Sequence, residues 1–170
     1  YIVAVGSEPV TPPIPGLDRE NVITVQDAHR HKELVTGKNI VVCGGGQSGC
    51  DCALELAIDF GLDPVIVEMA DRLSPDLNMM SYTGMINKLH EYNVGIYTGC
   101  KVKSVEEDGV HIIDKSGEEK VLPADTVISA FGLKKLSAYA EAVRDRFGWR
   151  TRIIGDCDKV ANVQRAMRSA

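Results

Sequence analysis

The residues best placed to do chemistry form a loop with the spacing G-x-G-x-x-G: Gly44, Gly45, Gly46, Gln47, Ser48 and Gly49. An apolar run precedes the loop and a helical pattern follows it, which is where such a loop can bind a diphosphate. Gly44 allows a tight turn, Gly46 lets the backbone approach the anion, and Gly49 lets the helix pack against the strand. Free N–H groups and the positive end of the helix dipole attract phosphate. The spacing therefore predicts a dinucleotide-binding loop to which all six residues contribute.

A carboxylate stands where the ribose of an adenosine would be held. Glu68 ends the second apolar run about 20 residues after Gly49, the spacing at which an acidic residue accepts hydrogen bonds from ribose hydroxyls. Its charge would repel a 2′-phosphate, so we predict NAD(H) in preference to NADP(H). Arg72 follows shortly after, and it would either soften this preference or cover the adenine. The alternative is a glycine turn in an ordinary sheet, with Glu68 a solvated strand end.

The elements around this loop form a strand–helix–strand unit. Apolar runs over residues 39–43 and 64–68 predict two buried strands, and a helical pattern over residues 47–60 lies between them. Gly61 is a typical helix stop. Strands joined through a crossover helix are parallel. The sequence therefore predicts an α/β fold with a Rossmann-like parallel sheet flanked by helices.

The remaining patterns extend this architecture on both sides. Asp108-Gly109 and Ser116-Gly117 are typical of hairpin turns and separate three short runs within residues 101–122, which predicts an antiparallel β-meander as a crossover. Four prolines between Glu8 and Gly16 predict a connector. Further helices are expected over residues 25–35, 82–92, 136–147 and after 156, and further strands over 1–5 (buried), 94–97, 126–130 and 152–154.

Composition narrows the classes of partner. The chain has 170 residues and a net charge of −5, with no basic stripe, so nucleic acid is not expected as a partner. No run approaches the roughly 20 apolar residues that span a bilayer, so no membrane partner is expected. Five cysteines form no C-x-x-C pair, which predicts reduced thiols in a cytoplasmic protein. No metal site is predicted, since the histidines show no partner ligands.

Four motifs surround the glycine loop in a fixed order: Ala4–Pro9, Pro13–Gly16, Ala130–Gly132 and Ile153–Cys157. The first is similar to an "ATGSxP" segment, the third to an "AxG" segment, and the last to a late "hhGD" segment. Together with the loop they resemble the pyridine nucleotide–disulfide oxidoreductase-like flavoproteins over nearly the whole chain. The last motif and residues 132–134 are most similar to the C-terminal part of NADH:flavin oxidoreductases of the 2-enoate and 2,4-dienoyl-CoA reductase type.

The resemblance implies roles for residues outside the loop. Gly6 would stand where the chain leaves an FAD domain, and Ala130 and Gly132 where it returns. Asp156 would contact the ribityl or phosphate region of the flavin. The implied organisation is residues 1–16 as FAD-domain remnant and linker, 17–132 as NAD(H)-binding domain, and 133–170 as return segment and FAD-domain remnant.

The resemblance also implies the activity and the partners. The chain would be the NADH-binding part of a flavin-dependent oxidoreductase that passes hydride to FAD, with no side chain here acting as acid or base. Its partners would be NADH, the rest of an FAD domain and, in the implied subfamily, a barrel with FMN and an iron–sulfur cluster. The motif that holds the FAD pyrophosphate would lie upstream of Tyr1, so this piece alone is expected neither to bind FAD nor to be active.

Two other functions remain open from the sequence. A dinucleotide-binding regulatory module without turnover would carry the same glycine loop and the same acidic residue. An S-adenosylmethionine-dependent methyltransferase would share the loop and the strand-end acid, but it would not carry the flavin-edge motifs at Gly6 and Asp156.

Overall fold

The computed structural model describes residues 1–169. Its strands are β1 (Ile2–Val3), β2 (Ser7–Pro9), β3 (Val22–Thr24), β4 (Ile40–Cys43), β5 (Val65–Glu68), β6 (Gly95–Thr98), β7 (Lys101–Glu106), β8 (Gly109–Ile113), β9 (Glu119–Leu122), β10 (Thr126–Ser129), β11 (Leu133–Lys135) and β12 (Arg152–Ile153). Its helices are α1 (Val25–Arg30), α2 (Gln47–Phe60), α3 (Met79–Glu91), α4 (Ser137–Phe147) and α5 (Val163–Ser169). The chain divides into two compact units, one of Thr11–Phe131 and one of Tyr1–Val10 with the chain from Gly132 onward.

The larger unit is built on a five-stranded sheet in the order β3-β10-β4-β5-β6. Every neighbouring pair is parallel. All four residues of β4 are buried, as expected for a strand covered on both faces. The structure confirms the predicted α/β class and the parallel sheet.

The strand order places a topological switch point at β4. From β4 the chain moves outward through β5 to β6, and it then returns to the other side of β4 as β10. In open parallel sheets, ligands bind outside the carboxyl ends of the strands at such a point. The glycine loop follows β4 directly, so the fold places it at this position.

Helix α2 packs against the sheet through one apolar face. Its buried side chains recur at helical spacing and are Cys50, Cys52, Ala53, Leu56 and Ala57. The helix ends at Gly61 in the left-handed conformation (φ 62°), with its N–H bonded to the carbonyl of Leu56. Both ends agree with the sequence prediction, because uninterrupted apolar periodicity and a C-terminal glycine act together there.

The crossover from β6 to β10 is the predicted antiparallel meander. Strands β7, β8 and β9 form a three-stranded sheet with antiparallel pairs. The turn between β7 and β8 requires Gly109, which has φ 138° and whose Cβ would overlap the carbonyl of Leu122.

The smaller unit holds two short strand pairs, α4 and α5. Strand β1 pairs with β12 in parallel, and β2 pairs with β11 antiparallel. The prediction of a buried strand over residues 1–5 is wrong in length, and its burial holds on one face only: Ile2–Val3 forms the strand, Val3 is 6% exposed and Ile2 is 75% exposed. Successive side chains of a strand point to opposite faces; Val3 packs with Ala140 and Cys157, and no such cluster covers Ile2 among the described residues.

Two helix boundaries differ from the sequence prediction for local reasons. Helix α3 begins at Met79, earlier than predicted, because the Asn78 side chain accepts a hydrogen bond from the Ser81 N–H at 3.0 Å and caps the helix. Helix α1 stops at Arg30, and residues 32–34 form a 3-10 turn instead. Among residues 1–169 no helix is both long enough and apolar enough to cross a bilayer.

Candidate dinucleotide-binding site

The first and last glycines of the loop allow close contact between β4, α2 and β10. Gly44 has φ 119°, and a Cβ there would overlap the carbonyl oxygen of Ala130. A Cβ on Gly49 would overlap the carbonyl oxygen of Gly44 and lie 3.3 Å from the Ala130 Cβ. The Ala130 N–H donates to the Cys43 carbonyl at 2.8 Å, which fixes the end of β10 beside the loop. The loop therefore fits only if both positions are glycine.

The middle of the loop is open instead of packed. Gly46 is the N-cap of α2, no side chain caps the helix, and a Cβ on Gly46 would meet nothing within 4 Å. Gly46, Gln47 and Ser48 are exposed at the start of a fourteen-residue helix. Free N–H groups at a helix start can bind phosphate, and a Cβ on Gly46 would enter open space.

Glu68 faces this loop, at the carboxyl end of β5. Its Oε2 accepts a hydrogen bond from the Gly45 N–H at 2.7 Å, and its Oε1 accepts one from the Ala70 N–H at 2.7 Å. The carboxylate is half-buried. It therefore joins the glycine loop to the segment after β5, with its remaining lone pairs free to accept from a ribose hydroxyl.

The segment after β5 closes one side of the loop. Leu73 is 1% exposed, and a Cβ on Gly45 would overlap its side chain. Ser74, which has φ 42°, donates its N–H to the Gly45 carbonyl at 2.8 Å. Arg72 lies next to this anchor and its guanidinium is 4.2 Å from the centre of the Tyr82 ring. The sequence did not reveal this anchoring, because no local pattern marks Leu73 and Ser74 as partners of a loop that lies far from them in the chain.

Buried thiols surround the loop. Cys43 ends β4, and burial raises its pKa to about 12. Burial also raises the pKa of Cys50 to about 11, and its Sγ lies 3.5 Å from the Gly45 carbonyl oxygen. Cys52 has a pKa of about 11 for the same reason. The thiolate is the reactive form of cysteine, so these residues act as small core side chains.

We expect Cys43, Cys50 and Cys52 of the native chain to react with iodoacetamide at pH 8 at least about a hundredfold more slowly than free cysteine, and Cys43 most slowly, because so little thiolate forms. Mass spectrometry of the labelled peptides measures this rate. Labelling in guanidinium chloride is the matched control, in which all three must react fully. Rapid native labelling of Cys50 would instead indicate an oxidation-sensitive thiol beside the loop.

The other predicted site residues lie in the smaller unit. Gly6 and Gly132 have φ 81° and 93°, and a Cβ on either would meet nothing within 4 Å. Asp156 is half-buried; its Oδ2 accepts from the Ser7 hydroxyl at 3.1 Å, and its Oδ1 accepts from the Ala161 N–H at 3.3 Å. The unit thus brings Asp156 to the segment that follows Gly6. The larger unit brings together the glycine loop, Glu68 and Ala130.

One cluster with possible metal ligands lies elsewhere, at the β7–β8 hairpin. Glu106, Asp108 and His111 each offer a ligand atom within 4.8 Å of the others. His111 Nε2 is 2.8 Å from Asp108 Oδ1, and this hydrogen bond raises the pKa of His111. The contacts of His111 with Asp108 and Glu106 are sufficient to explain why these three side chains lie together.

Comparison with known proteins connects this geometry to a family. A family model described as pyridine nucleotide-disulphide oxidoreductase matches residues 1–168. The bilirubin reductase of Mediterraneibacter gnavus (strain CC55_001C) is 30% identical over 167 residues, which are 98% of this chain and 25% of that protein. The NADH oxidase of Thermoanaerobacter brockii is 30% identical over 175 residues, 99% of this chain and 26% of that protein.

A solved structure shows the same fold throughout. The complex of 2-naphthoyl-CoA reductase with 2-naphthoyl-CoA matches with a TM-score of 0.90 and 26% identity, covering 99% of this chain and 25% of that one. The chain therefore spans about a quarter of the length of these relatives. The matched family consists of oxidoreductases that use FAD and NAD(P)H. With this match over residues 1–168, the chain belongs to the pyridine nucleotide-disulphide oxidoreductase family.

Proposed function

We propose that this chain is the NADH-binding domain of a flavin-dependent oxidoreductase in which hydride passes from NADH to FAD. The observation that carries the proposal is the start of α2, where Gly46 is exposed and no side chain caps the helix. The preceding residue of the same loop, Gly45, donates its N–H to the Glu68 carboxylate. An anion site next to a ribose acceptor suits a dinucleotide. The Thermoanaerobacter brockii relative is an NADH oxidase, which supports NADH as the donor.

The residues of this chain would bind and orient the cofactor. The N–H groups from Gly46 to Ser48 would hold the diphosphate, and Glu68 would accept from the adenosine ribose. Ala130, which follows the carboxyl end of β10, would border the nicotinamide half. When bound, FAD supplies the acceptor for the hydride, and no side chain of this chain has to move a proton.

The smaller unit supports a flavin partner outside the described chain. Strands β1 and β12 form an isolated parallel pair, although parallel strands occur almost only in larger, covered sheets. Ile2 of this pair is 75% exposed, and the preceding Tyr1 is 64% exposed. We propose that residues 1–16 and 133–170 complete an FAD domain whose remaining strands belong to a longer cytoplasmic protein, with Gly6 and Asp156 near the flavin. An additional FMN and iron–sulfur barrel is part of the same proposal.

Calorimetric titration of the chain with NADH and NADPH tests the cofactor assignment. We expect NADH to bind at least about tenfold more tightly than NADPH, because a 2′-phosphate would meet the Glu68 carboxylate at a cost exceeding one lost hydrogen bond. Equal and immeasurably weak binding of both would overturn the proposal. ADP-ribose is the matched control, since it carries the diphosphate and both riboses but neither a 2′-phosphate nor the nicotinamide.

Reduction of bound flavin by NADH in the longer protein separates an enzyme from a regulatory module. We expect loss of the visible flavin absorbance on mixing with NADH under anaerobic conditions. If NADH binds to the longer protein and the flavin stays oxidised, the chain is a dinucleotide-binding module without turnover.

A further inference from the structure

The segment between β5 and α3 carries a single cation. Residues 69–78 contain Arg72 as their only basic side chain, together with two acidic ones, Asp71 and Asp76. A cation close to the ribose acceptor is what normally accommodates a 2′-phosphate. Whether Arg72 serves this purpose depends on where its guanidinium is held.

The backbone of Arg72 is fixed beside the glycine loop. Its neighbour Leu73 is 1% exposed and packs against Gly45. Ser74 then donates its N–H to the Gly45 carbonyl at 2.8 Å. The backbone of Arg72 is therefore held near the glycine loop, which Glu68 also contacts. The position of its guanidinium then depends on the side-chain rotamer.

That direction is set by an aromatic ring. The Arg72 guanidinium lies 4.2 Å from the centre of the Tyr82 ring, within the range of a cation–π contact. Asp71 pairs with Lys115 instead, and within residues 1–169 Arg72 forms no ion pair. Tyr82 belongs to α3, whose start is fixed by the Asn78 cap, so the ring offers a rigid platform.

We propose that Tyr82 is a specificity-determining positioning residue that retains Arg72 on its ring and so withholds it from a 2′-phosphate at the ribose site. This inference rests on the proposed function, because it assumes that adenosine binds at Glu68. Two elements would then disfavour NADP(H): the carboxylate repels the phosphate, and the only cation of residues 69–78 is engaged on the Tyr82 ring, while Lys115 is paired with Asp71. A cation–π contact at an exposed site is weak, so the contribution of Tyr82 is expected to be about two- to fivefold in relative affinity.

Binding of ADP-ribose and its 2′-phosphorylated form tests this role by displacement of NADH. We expect Tyr82→Leu to lower the ratio of the two dissociation constants, phosphorylated over unphosphorylated, by about two- to fivefold. Tyr82→Phe keeps the ring and is expected to retain the wild-type ratio. Tyr82 is half-buried and lies outside the apolar core clusters, so the variants are expected to fold.

A second pair of variants separates retention of Arg72 from a structural effect. With Arg72→Ala as background, Tyr82→Leu is expected to leave the ratio unchanged. The proposal is overturned if Tyr82→Leu leaves the ratio at its wild-type value, or if it changes the ratio equally without Arg72. Failure of the wild-type chain to bind either ligand would instead reject the proposed function, and this inference with it.

Discussion

Glu68→Arg is expected to reverse the cofactor preference of the chain. The wild-type carboxylate offers a charged acceptor to a ribose hydroxyl, and losing a hydrogen bond to a charged group costs roughly 1.5–3 kcal/mol, or about 10- to 100-fold in affinity for NADH. An arginine at the same strand end can form charge-assisted bonds to a 2′-phosphate. Titration with NADH and NADPH should therefore show NADH weakened and NADPH strengthened.

The structure adds a second consequence of this substitution. Glu68 also accepts from the N–H groups of Gly45 and Ala70, so the arginine variant should lose roughly 1–3 kcal/mol of unfolding free energy, measured by urea denaturation. Glu68→Gln is the matched control, because its amide oxygen keeps one of these bonds without the charge. It should weaken NADH without strengthening NADPH to the same degree. An arginine variant that binds both cofactors as the wild type does would contradict the ribose assignment.

The sequence was sufficient to predict the elements around the loop. Residues 47–60 were identified as a helix because their apolar spacing is regular and Gly61 terminates it, and α2 has these bounds. The parallel sheet followed from the strand–helix–strand order. Residues 1–5 were predicted too long and too buried, because apolar character alone does not say which face of the run other elements cover. Val3 is 6% exposed and Ile2 is 75% exposed.

The sequence predicts the residue types of the candidate site but not the contacts between them. Local spacing selects the glycines and Glu68 as candidates, since the role proposed for each depends on its distance along the chain from a strand end. The bond from the Gly45 N–H to Glu68, the packing of Leu73 under Gly45, and the stacking of Arg72 on Tyr82 join segments that are separated in sequence. Such contacts depend on tertiary packing, which no local pattern encodes.

Gly46→Leu is expected to abolish dinucleotide binding while leaving the fold intact. Gly46 has φ −68° and ψ 179°, a conformation open to any residue, and a Cβ there meets nothing within 4 Å. The unfolding free energy should therefore change by less than about 0.5 kcal/mol. The leucine side chain would fill the space proposed for the diphosphate and displace it from two helix N–H groups. Losing two such charge-assisted bonds should weaken NADH at least about a hundredfold.

Gly49→Ala is the matched control, because it adds a smaller side chain three residues further along the same loop. This substitution is expected to lower the stability of the fold, whereas Gly46→Leu is not. Its Cβ would overlap the Gly44 carbonyl oxygen and press on Ala130, so the unfolding free energy should fall by roughly 1–3 kcal/mol. Urea denaturation and NADH titration of both variants separate the two roles. Gly46 is proposed to leave room for the ligand, and Gly49 allows the close packing of the loop against Gly44 and Ala130. If Gly46→Leu binds NADH with wild-type affinity, the diphosphate does not lie at the start of α2, and the assignment of this loop as the dinucleotide site is wrong.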